Sequence, residues 1–109
     1  MKLTEQAYLV LLALADGPRH GYAIVRAVRD LTDGATTLGA GTLYGLLDRL
    51  GDAGLIAAAG EEVVDGRLRR YYRITESGSA AATAETDRLR ALARRADVVL
   101  RPRPVLGGA

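Results

Sequence analysis

Residues 40–74 decide the fold of this chain and read AGTLYGLLDRLGDAGLIAAAGEEVVDGRLRRYYRI. Residues 40–53 space four leucines along one side of a helix: Leu43, Leu46, Leu47 and Leu50. Gly54 suits the left-handed position that ends such a helix. Residues 55–59 and 68–74 then have the pattern of short strands flanking residues 61–66, which close on Asp65-Gly66, a pair typical of tight hairpin turns. The segment therefore predicts a helix followed by a β-hairpin.

Two helices are predicted before this segment and one after it. Thr4 caps the first helix, which stops at residues 16–18. His20 caps the second helix, and the apolar stripe of that helix consists of Ile24, Ala27, Val28 and Leu31. The last opens at Thr75 and ends where Pro102 and Pro104 follow. The order predicts a mainly α protein with a small β-hairpin. We expect a winged helix-turn-helix DNA-binding domain (1–75), a C-terminal dimerisation helix (76–100) and a disordered tail (101–109).

The last helix carries a seam whose spacing alternates between three and four residues. Its members are Ala82, Glu85, Leu89, Leu92, Ala96 and Val99. The two leucines either fold back on their own domain or pair with a second copy of the chain. A long helix that follows an already complete small core favours pairing. We therefore predict a homodimer contact through Glu85, Leu89, Leu92, Ala96 and Val99.

Charge is distributed unevenly along the chain. The 109 residues carry a formal charge of only +2, and their number allows one small domain. Residues 1–66 have five basic and nine acidic side chains, a charge of −4, whereas residues 67–109 have ten basic and four acidic, a charge of +6. Such polarity indicates a partner with many negative charges, and double-stranded DNA is the expected one.

The composition also excludes several classes of protein. The chain has no cysteine and one histidine, which leaves no disulfide framework and no set of zinc ligands. The longest apolar run, residues 8–15, is much shorter than the roughly 20 residues of a membrane helix, and no signal-peptide pattern opens the chain. We find no nucleophile–base pair, carboxylate dyad or phosphate loop. We expect a cytoplasmic protein with no enzymatic activity, no cofactor and no metal.

Candidate DNA contacts lie on the third helix, the hairpin and the start of the second helix. A winged helix-turn-helix presents its third helix to the major groove and its hairpin to the neighbouring backbone or minor groove. The predicted contacts are Gly41, Thr42, Tyr44, Gly45, Arg49, Tyr22, Arg67, Arg69 and Arg70. Strict alternation places Arg70 on the side of Tyr72, which we assign to the core with Ile74, although a long arginine stem can still reach outwards.

Three blocks of sequence resemble the PadR family of bacterial transcriptional regulators. The blocks are GPRHGYAI at residues 17–24, GTLY at 41–44 with the apolar positions that follow to residue 56, and RRYYRIT at 69–75 with Gly78. The single last helix is similar to that of the small PadR subfamily. The resemblance implies a homodimeric repressor that binds a palindromic operator and is released by a small-molecule effector. Gly45 and Asp48 replace the polar or basic residues that are common in the family.

Two other functions are compatible with the sequence. One is a winged-helix protein-interaction module, because Asp48 and Asp52 make the outward side of the third helix acidic. The other is a dimer that chiefly senses a hydrophobic small molecule and binds DNA weakly. Salt-dependent binding to duplex DNA distinguishes the first from a regulator, and ligand-dependent thermal shifts reveal the second.

Overall fold

The computed structural model describes residues 2–102 and contains four helices and three strands. In chain order these are α1 (Glu5–Ala13), β1 (Arg19–His20), α2 (Gly21–Leu31), α3 (Ala40–Asp52), β2 (Ile56–Val64), β3 (Arg67–Ile74) and α4 (Glu76–Leu100). The predicted order of three helices, a hairpin and a last helix is confirmed.

The core lies where α1, α2 and α3 meet. It contains the predicted leucines of α3, together with Val10 and Leu11 of α1 and Ile24 and Val28 of α2. The predicted cap at Thr4 is confirmed, since its hydroxyl accepts a hydrogen bond from the backbone N–H of Ala7 at 3.1 Å. None of the fully buried side chains among the described residues is polar or charged, so apolar burial is the main source of stability here.

One predicted core residue of α2 lies outside the core. Leu31 is 54% exposed, because α2 ends at this residue and the chain then reverses through Asp33 and Gly34, both with positive φ. Leu38 joins the core instead, from the irregular connection between α2 and α3. Helical periodicity indicates neither where the chain reverses after a helix, which exposes Leu31, nor which residue of an irregular connection is buried.

The sheet has three strands rather than the two that the sequence predicted, in the order β1–β3–β2. The added strand β1 pairs antiparallel with β3, with Arg19 opposite Tyr72 and His20 opposite Tyr71. Two residues are too few to show an alternating pattern, so only the paired strand reveals β1. The pairing joins the start of α2 to the hairpin.

The hairpin is longer than predicted. Strand β2 continues to Val64, so residues 61–64, which we expected in a loop, are paired with β3. A bulge between Ala58 and Glu61, where Gly60 has φ of +105°, interrupts the alternation and concealed this half of the strand. The turn itself is the predicted Asp65-Gly66 pair, and both residues have the positive φ that a tight two-residue hairpin turn requires.

Helix α4 begins against the domain and then leaves it. The hydroxyl of Thr75 caps the helix, Gly78 and Ala82 are buried, and the Tyr8 hydroxyl lies 2.6 Å from that of Thr86. Ala82, which we placed in the seam, thus packs on its own domain. Beyond Thr86 the apolar seam is exposed to solvent: the exposed fractions of Leu89, Leu92 and Val99 are 37%, 51% and 79%. Residues 103–109, most of the predicted disordered tail, lie outside the described residues.

Candidate nucleic-acid interface

A groove runs between α3, the start of α2 and the hairpin. Five of the nine predicted DNA contacts line it: Tyr22, Tyr44, Arg67, Arg69 and Arg70. Five further residues complete the lining: His20, Gly21, Asp48, Leu68 and Tyr72. The three elements that sequence patterning assigned to DNA therefore meet at one surface.

The other four predicted contacts lie along α3, outside the lining of this groove. Gly41, Thr42 and Arg49 are exposed, and Gly45 is half-buried. A Cβ added at Gly45 would lie 4.0 Å from the Arg49 guanidinium, so a small side chain could be accommodated there. Gly39 caps the helix without a side-chain hydrogen bond. The small residues leave the backbone of this side of α3 open to close approach.

Tyr44 is held at the junction of α3 and α2. A Cβ added at Gly21 would lie 3.0 Å from the Tyr44 hydroxyl, so the glycine provides the space in which this ring packs. The ring nevertheless stays 52% exposed. Next to it, Tyr22 is 67% exposed and carries the guanidinium of Arg26 at 5.6 Å from its ring centroid. Both tyrosine side chains are therefore exposed at the groove.

The hairpin neutralises part of its own charge. Arg70 lies 3.5 Å from the carboxylate of Glu61 on the opposite strand. Its side chain is exposed, as expected if the long arginine stem reaches outwards. The Tyr71 hydroxyl donates a hydrogen bond to Glu62 at 3.1 Å, which raises the pKa of that tyrosine. Within residues 2–102, neither Arg67 nor Arg69 has a carboxylate within 4 Å. These two arginines are the hairpin cations at the groove without such a partner.

His20 links α2 to the hairpin. Its Nδ1 accepts a hydrogen bond from the backbone N–H of Ala23 at 3.3 Å, which confirms the predicted cap. Its Nε2 lies 3.5 Å from Nη1 of Arg69. Burial lowers the pKa of His20, the positive charges of Arg69 and Arg26 lower it further, and Glu62 partly opposes them. These effects favour the neutral form of the imidazole.

The lowered pKa predicts a loss of stability in acid. Because the folded-state pKa of His20 lies below the unfolded value of about 6.5, the unfolded chain binds the proton more readily. The free energy of unfolding should therefore fall as the pH decreases from about 7 to about 5, relative to that of a His20→Asn variant, which retains a capping oxygen. Urea unfolding of both proteins across this range measures the difference, and parallel curves would contradict the prediction.

The five lining residues that were not among the predicted contacts depend on the neighbouring strands. Burial raises the pKa of the Tyr72 hydroxyl, and the nearby Tyr44 and Asp48 raise it further. Asp48 therefore faces the hairpin. Leu68, opposite Val63 on β2, is 55% exposed. The alternation of β3 places Leu68 on the same face as Arg70 and Tyr72, so this signal could have identified Leu68. The position of His20 in the groove depends instead on β1, which the sequence did not reveal.

A family model described as "Transcriptional regulator PadR-like family" matches residues 10–84. The chain belongs to the PadR-like family of transcriptional regulators. The resemblance found in the sequence is thus confirmed, and membership of a family of regulators confirms the expectation that the chain is not an enzyme. In residues 2–102, none of the helices is both long enough and apolar enough to span a membrane.

One curated relative of this chain is itself named as a transcriptional regulator. Transcriptional regulator Rv3488 of Mycobacterium tuberculosis is 39% identical over 85 residues, which cover 78% of this chain and 76% of that protein. An uncharacterized 37.1 kDa protein in transposon TN4556 of Streptomyces fradiae is 42% identical over 71 residues, which span 65% of this chain but only 19% of that longer protein.

Two PadR crystal structures show the same fold. A PadR family regulator from Eggerthella lenta superposes with a TM-score of 0.70 at 29% identity and covers 90% of this chain and 86% of its own. Bacillus subtilis PadR in complex with operator DNA superposes with a TM-score of 0.64 at 19% identity, over 97% of this chain and 52% of that one. The winged-helix architecture predicted from the element order is therefore confirmed.

Proposed function

We propose that this chain is a homodimeric repressor that binds a palindromic DNA operator through the groove between α3, α2 and the hairpin. The observation that carries the proposal is the convergence of Tyr22, Tyr44, Arg67, Arg69 and Arg70 on this one exposed groove. Tyrosine hydroxyls and arginines are phosphate donors in protein–DNA complexes, and such contacts set the orientation of the protein on the duplex. The DNA-bound PadR neighbour from Bacillus subtilis supports the same assignment.

The acidic side chain that lines the groove, Asp48, fits a base contact better than a phosphate contact. Asp48 would repel a phosphate, but a carboxylate can accept a hydrogen bond from the amino group of cytosine in the major groove. The small residues Gly41 and Gly45 leave α3 free to approach the bases, with Thr42 and Arg49 beside them. We propose that α3 reads the bases and that the tyrosines and hairpin arginines hold the backbone.

Dimerisation is assigned to the outer half of α4. Leu89, Leu92 and Val99 are exposed in the single chain, and Ala96 lies between them on the same side of the helix. Glu85 is bonded to Arg88 at 2.7 and 2.8 Å, so its charge is already compensated at the edge of this seam. A two-fold dimer would present two grooves to half-sites about one DNA turn apart. We accordingly divide the chain into a DNA-binding part, residues 1–75, and a dimerisation helix, residues 76–100.

Release by a small-molecule effector belongs to the same proposal. A shallow cavity lies beside the dimerisation seam, between the N-terminal segment and α4, lined by Lys2, Leu3, Ala81, Ala84, Glu85 and Arg88. A ligand that binds there in only one arrangement of the two α4 helices would shift the dimer towards that arrangement. Ligand-dependent rises in the melting temperature, compared with changes in DNA affinity, test this part.

Salt-dependent binding to duplex DNA tests the central assignment. The logarithm of the association constant should fall linearly with the logarithm of salt concentration, with a slope of several units, because each neutralised phosphate releases counterions. Selection of bound duplexes from a random pool should then yield a palindrome. Absence of binding at low salt would instead support the protein-interaction module, for which the acidic Asp48 and Asp52 are the specific observation.

Removal of the two groove arginines that lack a carboxylate partner should weaken DNA binding regardless of sequence. We expect Arg67→Ala and Arg69→Ala each to reduce affinity for specific and mixed duplexes by similar factors and to flatten the salt slope by about one unit per site. Fluorescence anisotropy at several salt concentrations measures both effects. Arg95→Ala on exposed α4 is the charge-matched control and should leave the slope nearly unchanged. Unchanged slopes in the hairpin variants would remove the hairpin from the mechanism.

A further inference from the structure

His20 faces more hydrogen-bond donors than a neutral imidazole can satisfy. The Ala23 N–H points at Nδ1 from 3.3 Å, and Nη1 of Arg69 approaches Nε2 at 3.5 Å. A neutral imidazole has only one acceptor nitrogen, because the other nitrogen carries the proton. The backbone N–H is fixed by the helix, so Nδ1 accepts from it. The proton then lies on Nε2, and that N–H and the Arg69 guanidinium face each other as two donors.

The neighbouring residues hold this pair of donors in place. His20 is paired with Tyr71 across β1 and β3, and the two rings meet edge to face with centroids 5.5 Å apart. The Tyr71 hydroxyl is in turn bonded to Glu62. Glu62 lies opposite Arg69 in the β2–β3 register, but no carboxylate of the described residues comes within 4 Å of the Arg69 guanidinium. The two donors therefore converge with no carboxylate of the described residues between them.

We infer that the Nε2–H of His20 and the guanidinium of Arg69 form a seat for one phosphate oxygen of the DNA backbone. An anionic oxygen between them would accept from both groups, and hydrogen bonds to a charged acceptor are the stronger kind. The inference rests on the proposed function and deepens it, since both residues line the groove. It assigns to His20 a contact that is distinct from its capping role and that joins α2 and the hairpin to the same phosphate.

Histidine ring spectroscopy tests the seat without DNA. The chain has a single histidine, so its ring signals are unambiguous in long-range ¹H–¹⁵N spectra. We expect the Nε2–H tautomer at neutral pH, and we expect added inorganic phosphate to shift the Nε2 signal. The shift should be lost in Arg69→Ala but retained in Arg67→Ala. An Nδ1–H tautomer, or a phosphate response that is the same in the native chain and in Arg69→Ala, would overturn the inference.

A double-mutant cycle tests the seat on DNA. His20→Asn keeps an oxygen for the cap but has no group at the position of Nε2, and circular dichroism checks that the helix persists. We expect His20→Asn to weaken duplex binding by at least about tenfold, the worth of one hydrogen bond to a charged group. In combination with Arg69→Ala the losses should be less than additive, because both substitutions empty one seat. In combination with Arg67→Ala they should add.

The two levels of the proposal fail in different ways. Salt-dependent DNA binding that is unaffected by His20→Asn, or additive losses for His20 and Arg69, would overturn the phosphate seat and leave the regulator intact. Absence of DNA binding by the native chain would overturn the proposed function, and the assignment of the seat to DNA would fall with it. A phosphate-dependent shift of the ring signals would then show an anion site that serves a different ligand.

Discussion

Leu89→Asp combined with Leu92→Asp is expected to convert the proposed dimer into monomers. Both leucines are exposed in the single chain, at 37% and 51%, and they lie in the part of α4 that has left the domain. Two carboxylates would face their own copies across a two-fold axis, where desolvation and like-charge repulsion both oppose pairing. Multi-angle light scattering measures the mass directly. Operator affinity should fall by about 100-fold or more, because a second half-site no longer adds to the first.

A control variant separates loss of pairing from damage to the helix. Thr83→Asp combined with Val98→Asp adds the same charge to α4 on the opposite side of the helix, at two exposed positions. We expect this variant to remain dimeric and to bind the operator nearly normally. A dimeric mass for the double leucine variant, or monomers for both variants, would argue that α4 does not pair through the predicted seam.

Gly78→Ala is expected to destabilise the chain by about 3 kcal/mol or more, although alanine is the better helix former. A Cβ at this position would collide with the backbone carbonyl of Leu55 and would lie 2.9 Å from the Ile74 side chain. The carbonyl cannot move away cheaply, because it accepts a hydrogen bond from the Thr75 N–H at 3.0 Å. The Thr75 hydroxyl is likewise bonded to the carbonyl of Gly54 at 2.6 Å. Thermal or urea unfolding measures the loss.

Gly51→Ala is the matched control for this substitution. Gly51 is also helical, but it is exposed at the end of α3, and a Cβ there would meet no atom within 4 Å. Because alanine loses less backbone entropy on folding, we expect this variant to gain up to about 1 kcal/mol. If both variants had the same sign of effect, contact with Leu55 would not be the reason for glycine at position 78.

Features that depend on near neighbours in the chain were predicted from the sequence. The caps at Thr4 and His20, and the start of the last helix at Thr75, were predicted where the structure places them, since a cap contacts a residue only three positions later. The Asp65-Gly66 turn was predicted for the same reason. The burial of the α3 leucines followed from their spacing along a helix, and the family from three short blocks of sequence.

Other features were decided only when distant segments met. Strand β1 exists because residues 19–20 lie beside β3, and the second half of β2 continues past a bulge because its partner strand continues. The exposure of Leu31 and the burial of Leu38 depend on how the connection after α2 turns. The contact of His20 with Arg69, 49 positions later, depends on the pairing of β3 with both β1 and β2.

The sequence by itself thus determined the helices, the turn, the family and the uneven charge, because helical periodicity, capping and turn preferences act over a few residues. The tertiary structure alone decided which side chains share the groove, why residue 78 must be glycine, and which arginines lack a carboxylate partner. Those properties depend on distances between segments far apart in the chain, and packing the whole core sets these distances.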